Sequence, residues 1–179
     1  MRRIGEIVGS GQRVFDVACG LGRIREDLHP SCQYRGIDLN STFVAYARAR
    51  GRDVWLADVV SSPDYPESDV VIITDLFHHL SLIEIRIILR KAFIAAPRVI
   101  VVEPSYLGLA RQKNILGKVF NWFFTFLDQD GINPKRTWFT EEEYRQAFQS
   151  IFGLDAKGVS VAIFKIGLSL MVVYEKEAA

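Results

Sequence analysis

The run VFDVACGLGR, Val14 to Arg23, constrains this chain more than any other stretch. Apolar and β-branched residues from Val14 to Cys19 predict a strand, and the strand breaks at two closely spaced glycines, Gly20 and Gly22. The next residues, LGRIREDL, predict a helix that stops near Pro30. A strand that passes through a glycine turn into a helix is the opening of a β-α-β unit, which makes a parallel sheet the expected framework.

The same rhythm continues. YRGIDL, Tyr34 to Leu39, predicts a second strand. STFVAYARARG predicts a helix with Ser41 as its cap and Gly51 as its stop. DVWLA, Asp53 to Ala57, fits a short third strand. After the turn-rich SSPDYPES, the continuous apolar run DVVIITDL, Asp69 to Leu76, suits a central strand buried on both faces. Ser81 and Glu84 have the spacing of a capping box, opening a helix that runs to about Ala96 before Pro97, and RVIVVEP, Arg98 to Pro104, is the fifth strand. Thr140 and Glu143 form a second capping box, for a helix that Gly153 can end. VSVAIF and LSLMVVYE, separated by Lys165 to Gly167, are spaced for an antiparallel hairpin. With 179 residues, no repeat and no linker, the expectation is one domain, 1–179, in which Ser105 to Trp138 interrupts the alternation.

Composition removes several classes of function. Lys plus Arg number 22 and Asp plus Glu 21, so no global field draws the chain to nucleic acid. Cys19 and Cys32 are too few for a disulfide framework and lack zinc-site spacing; with an N-terminus that does not read as a signal peptide, the expectation is a cytoplasmic protein without a metal. No run of about 18 apolar residues suggests a membrane span.

Three acids fall at matching points of successive β-units: Asp16 within the first strand, Asp38 at the end of the second and Asp58 just after the third. A carboxylate at the second strand's end can accept both ribose hydroxyls of an adenosine moiety. That much would serve a nicotinamide dinucleotide equally well.

Asp16, Ala18, Gly20 and Gly22 resemble the D-x-G-x-G-x-G fingerprint of class I S-adenosylmethionine-dependent methyltransferases, with Ala18 in place of the first glycine. The likeness extends over nearly the whole chain. It implies an α/β, Rossmann-like fold: a mostly parallel seven-stranded sheet with a C-terminal antiparallel hairpin and helices on both faces. It also implies S-adenosylmethionine as cofactor, S-adenosylhomocysteine as product, and cofactor contacts from Asp16, Ala18, Cys19, Gly20, Gly22, Asp38, Leu39, Asp58, Val59 and Asp75. In the family, the acid at Asp58 holds the adenine amino group, which dehydrogenases do not require. Donors of the glycine turn and of the helix behind it would meet the methionyl carboxylate. A noncatalytic cofactor-binding or assembly subunit is the alternative of a different class, and an NAD-dependent oxidoreductase is a third.

After the fourth strand, Thr74-Asp75-Leu76-Phe77-His78-His79-Leu80 resembles the x-x-L-H-H-L stretch of small-molecule methyltransferases. His78 and His79 are candidate general bases, and Glu103 is a further acidic candidate. The segment 105–138 is the expected substrate cover. Its Phe120, Trp122, Phe123, Phe124 and Phe126, flanked by Arg111, Lys113 and Lys118, suit a small hydrophobic or aromatic acceptor. They also suit a homodimer or partner-subunit contact, or peripheral membrane contact through 115–127.

Overall fold

The computed structural model describes residues 2–104, 159–166 and 169–176. The segment 105–138 and the helix expected from Thr140 to Gly153 lie outside the described residues. Within them the order is α1 (Arg2–Val8), β1 (Arg13–Val17), β2 (Gln33–Asp38), α2 (Ser41–Ala49), β3 (Asp53–Leu56), β4 (Val70–Thr74), α3 (Leu82–Ala95), β5 (Arg98–Pro104), β6 (Val159–Ile166) and β7 (Ser169–Lys176). Among the described residues no helix is long and apolar enough to cross a membrane.

All seven strands join one sheet in the order β3-β2-β1-β4-β5-β7-β6. Pairing is parallel from β3 through β5 and antiparallel at β5–β7 and β7–β6, as the hairpin spacing predicts. The strand order reverses between β1 and β4, which opens a crevice beyond the strand C-termini at that point.

Side chains of the central strands alternate strictly between two cores. Phe15, Val71, Ile73, Val99 and Val101 pack with Ile85, Ile88, Leu89 and Ala92 of α3. Val14, Val70, Ile72 and Ile100 pack on the other face with Ile4 and Val8 of α1 and Val44 and Ala47 of α2. Covering both faces explains why β4 is continuously apolar rather than alternating.

Two local expectations are corrected, and one helix, α1, is unexpected. The helix expected over LGRIREDL is only a 3-10 turn, Arg23–Glu26, closed by the Asp27 N–H donating to the Ile24 carbonyl (2.9 Å). Pro30 disfavours helical backbone at His29, and the chain turns back toward β2 after this single turn. The cap of α2 is Asn40 rather than Ser41: the Asn40 side-chain oxygen accepts from the N–H groups of Thr42 (2.9 Å) and Phe43 (3.3 Å). Helix α1 ends at Gly9, whose left-handed backbone (φ 78°) lets its N–H donate to the Gly5 carbonyl (3.0 Å), and the buried Ile4 and Val8, one turn apart, seat it on the sheet. By contrast, Ser81 and Glu84 form the full capping box of α3.

Two features beneath the glycine turn fix its height above the sheet. Gly36 faces Asp16 in register, and a Cβ there would lie 2.9 Å from Cys19 Cβ and 3.2 Å from the Asp16 carbonyl oxygen. Only glycine lets β2 run this close. Next to it, Tyr34 Oη donates to Asp16 Oδ2 (2.7 Å) in a fully buried pair, while Asp16 Oδ1 has no hydrogen-bond partner among the described residues. Burial pushes the Asp16 carboxyl up to about 7, against the opposing effect of the Tyr34 hydrogen bond and with a smaller upward push from Asp38.

A carboxyl whose folded pKa lies above its unfolded value stabilises the fold fully below about pH 4 and loses that contribution as pH rises through about 7. Asp16→Asn keeps an acceptor for Tyr34 and removes the titration. Urea unfolding from pH 4 to 8 should show wild-type stability falling relative to Asp16→Asn by up to a few kcal/mol over this window; parallel profiles for the two proteins would refute the assignment.

Candidate active site

The crevice at the strand C-termini is a cleft of about 780 Å³. The turn after β1 forms one wall through Ala18, Cys19, Gly20, Leu21, Arg23 and Ile24. Asp38, Leu39 and Phe43 follow β2, Asp58 to Val60 follow β3, and Thr74 to Leu76, His79, Leu80 and Glu84 follow β4.

Ala18 adopts left-handed backbone, φ 58°. This explains why glycine is usual at its position: the conformation, more than the bulk of a methyl group, is what alanine tolerates poorly, at about 1 kcal/mol. Gly20 is also left-handed, φ 53°, and a Cβ built on it would meet nothing within 4 Å, so this backbone borders open space. Asp75, φ 50°, is the other non-glycine residue of positive φ among those described, and it too lines the cleft. Backbone strain of this kind collects at functional sites.

Asp38 ties the first two walls together. Its Oδ2 accepts from the Gly20 N–H (2.7 Å) and its Oδ1 from the Asn40 N–H (2.8 Å). Each carboxylate oxygen keeps a further lone pair for a ligand hydroxyl. Beside it Leu39 is 51% exposed, an apolar surface available to a flat ring. Asp58 is held by its own loop, accepting from the Val60 N–H (2.9 Å) and the Ser61 hydroxyl (2.9 Å). Lys91 of α3 steadies that loop by donating to the carbonyls of Val60 (2.7 Å) and Ser62 (2.5 Å), and Tyr65 Oη donates to that of Val59 (2.9 Å).

At the β4 end the candidate residues separate. Glu103, 2% exposed, takes the N–H groups of Leu76 (2.8 Å) and Phe77 (2.7 Å) on Oε1, and its Oε2 lies 3.0 Å from His78 Nδ1. His78 and Glu103 are thus buried together behind the turn and do not line the cleft. His79, with its ring centroid 4.0 Å from that of His78, does line it.

Of the residues singled out in the sequence, Ala18, Cys19, Gly20, Asp38, Leu39, Asp58, Val59, Asp75 and His79 meet at the cleft; Asp16, Gly22, His78 and Glu103 lie behind it. Burial, with Asp16 and Asp38 nearby, pushes the Cys19 thiol up and keeps it neutral. The sequence reading missed Arg23, Phe43, Leu80 and Glu84 at the cleft, and Tyr34, Gly36 and Lys91 behind it. Arg23 adjoins the fingerprint and was within reach of it; Lys91 is brought to its loop only by the tertiary fold. No group of three or more His, Cys, Asp or Glu placed for a metal occurs among the described residues.

Comparison with known proteins agrees with this geometry. A methyltransferase domain family model matches residues 15–101. A tRNA (carboxymethyluridine(34)-5-O)-methyltransferase of Arabidopsis thaliana is 34% identical over 77 residues, 42% of this chain; the chain covers 19% of that relative's length. Among solved structures, magnesium protoporphyrin IX methyltransferase from Synechocystis PCC 6803, with bound S-adenosylhomocysteine, aligns at TM-score 0.64 and 18% identity over 94% of this chain and 75% of that one. An S-adenosylmethionine-dependent methyltransferase from Mesorhizobium loti aligns at TM-score 0.69 and 14% identity, covering 98% and 95%. A 16S rRNA methyltransferase with bound S-adenosylhomocysteine aligns at 0.63 and 22%, covering 98% and 60%. At these identities the structural likeness is one of fold, and it joins the matched domain, the 3-2-1-4-5-7-6 strand order and the acids after successive strands: the chain carries a methyltransferase domain over residues 15–101, in the Rossmann-like fold of these S-adenosylmethionine-dependent enzymes.

Proposed function

We propose that this chain binds S-adenosylmethionine in the cleft and transfers its methyl group to a small hydrophobic or aromatic acceptor. The observation that carries the reading is the convergence of Gly20, Asp38 and Asp58, from three successive strand ends, on one cleft. Open space over Gly20 leaves room for a ligand against backbone, and Asp38 stands ready for a ribose diol. Asp58 and Val59 would take the adenine edge and face. Bound there, the cofactor supplies an electrophilic methyl on a sulfonium; the protein's part is mainly to align the acceptor with it and exclude water.

Leu76 and Leu80, on the β4 side of the cleft, support an apolar acceptor. Of the three candidate bases, His79 is the one at the cleft, and it would take a proton where the acceptor must lose one. Glu103 and His78 position the turn that carries it. The magnesium protoporphyrin methyltransferase has a small-molecule acceptor by its name, whereas the Arabidopsis relative acts on tRNA, which makes RNA the competing acceptor.

Calorimetry should show S-adenosylmethionine binding and no NAD binding, with Asp38→Ala weakening the former about tenfold or more through lost hydrogen bonds. Binding of NAD in preference to the methyl donor would refute the proposal. Mass spectrometry of donor turnover over phenols, amines, quinone precursors and unmodified tRNA should give methylation within the small-molecule group. Turnover on tRNA alone would reassign the acceptor, and turnover on none, with donor binding intact, would favour a noncatalytic subunit.

Two substitutions separate chemistry from scaffolding. His79→Ala should slow transfer about a hundredfold while leaving donor affinity and denaturant midpoint unchanged. Glu103→Gln should cost about 1–3 kcal/mol of stability, measured by urea unfolding; an unfolding curve like wild type would remove its structural role.

A further inference from the structure

We infer that Arg23 binds the carboxylate of the methionyl group, an assignment that rests on the donor reading above and names the residue responsible for one end of the ligand. The fingerprint alone assigns this anion to backbone donors of the turn and to the helix behind it. Three of the turn's donors are engaged: the Cys19 N–H donates to the Ile37 carbonyl (2.9 Å), the Gly20 N–H to Asp38 (2.7 Å), and the Gly22 N–H to the Cys19 carbonyl (2.7 Å), which leaves the N–H groups at the start of the helix to share the anion with a side chain. The helix is a four-residue 3-10 turn, whose few aligned peptides make a small dipole.

Charge at the cleft then narrows the choice. Among the described residues its lining carries the carboxylates of Asp38, Asp58, Asp75 and Glu84 and one guanidinium, that of Arg23. S-adenosylmethionine has two positive groups, sulfonium and ammonium, and one negative. A wall of acids suits the cations and repels the carboxylate everywhere except beside Arg23.

Arg23 is also available. It is exposed, it starts directly after the glycine turn, and it makes no hydrogen bond or ion pair among the described residues. Nearby arginines are committed elsewhere: Arg25 donates to the Pro30 carbonyl (3.2 Å), Arg48 to that of Val54 (2.7 Å), and Arg52 to the Leu21 carbonyl and Glu26. A planar guanidinium can hold a carboxylate with two parallel N–H donors, which an ammonium cannot reproduce.

The test titrates the full chain with S-adenosylmethionine and with its decarboxylated analogue, which keeps both cations and lacks the anion. Arg23→Gln should lose about tenfold or more in affinity for S-adenosylmethionine and almost nothing for the analogue, and Arg23→Lys should recover part of the loss. Equal losses on both ligands would assign Arg23 to the fold of the turn, and no loss on either would remove it from the site; each overturns the inference. A wild-type chain that binds neither ligand would overturn the donor reading itself, and this assignment with it.

Discussion

The carboxylate of Asp38 holds the site together. One oxygen takes the N–H of Gly20, in the turn after β1, and the other takes that of Asn40, which caps α2. A single side chain thus sets the distance between two loops that end adjacent strands, and it satisfies two backbone donors that would otherwise face the cleft unpaired. The arrangement requires β2 to lie very close to the turn, which is why Gly36 sits beneath it, and it requires the turn to bend through left-handed backbone at both Ala18 and Gly20. Removing Asp38 would free the turn as well as remove the acid proposed to hold the ribose.

The far wall repeats the device with a different acid. Glu103, from β5, takes the N–H groups of Leu76 and Phe77 and meets His78, so the segment after β4 is fixed by a buried carboxylate as the segment after β1 is fixed by the buried carboxylate of Asp38. In both cases backbone N–H groups compensate for burying the acid, joined at Glu103 by His78. The consequence at the surface is that His79 and Asp75 are presented by a rigid turn rather than a mobile one, a condition for aligning an acceptor.

Elements were legible where local signals and tertiary packing agree. The capping box at Ser81 and the apolar run of β4 each state their structure within a few residues, and the hairpin's spacing states its antiparallel pairing. The errors have a common cause. The helix expected after Gly22 has acceptable periodicity, but Pro30 and the short path back to β2 leave it one 3-10 turn. Helix α1 has a stop in Gly9 and little else local to announce it, since its stability comes from Ile4 and Val8 against the sheet. Site residues divide in the same way: the position of Asp38 at a strand end was readable, whereas the burial of Glu103 against three groups of another loop depends on β5 pairing with β4.

Strand-end acids therefore look alike in sequence and differ in what surrounds them. Asp16 is sealed beneath the turn with Tyr34, its charge disfavoured by burial. Glu103 is sealed beneath the opposite turn, spending both oxygens on protein groups. Asp58 and Asp75 open onto the cleft, Asp58 also bracing its own loop, and Asp38 joins two separate loops, anchoring backbone with one set of lone pairs and leaving another toward the cavity. Among the described residues the cleft is lined by four acids, Asp38, Asp58, Asp75 and Glu84, against one arginine, Arg23, a balance that favours a ligand of net positive charge over an anionic one such as NAD. That electrostatic preference, rather than the glycine turn shared with dinucleotide-binding folds, is the physical reason this member of the fold suits a sulfonium donor.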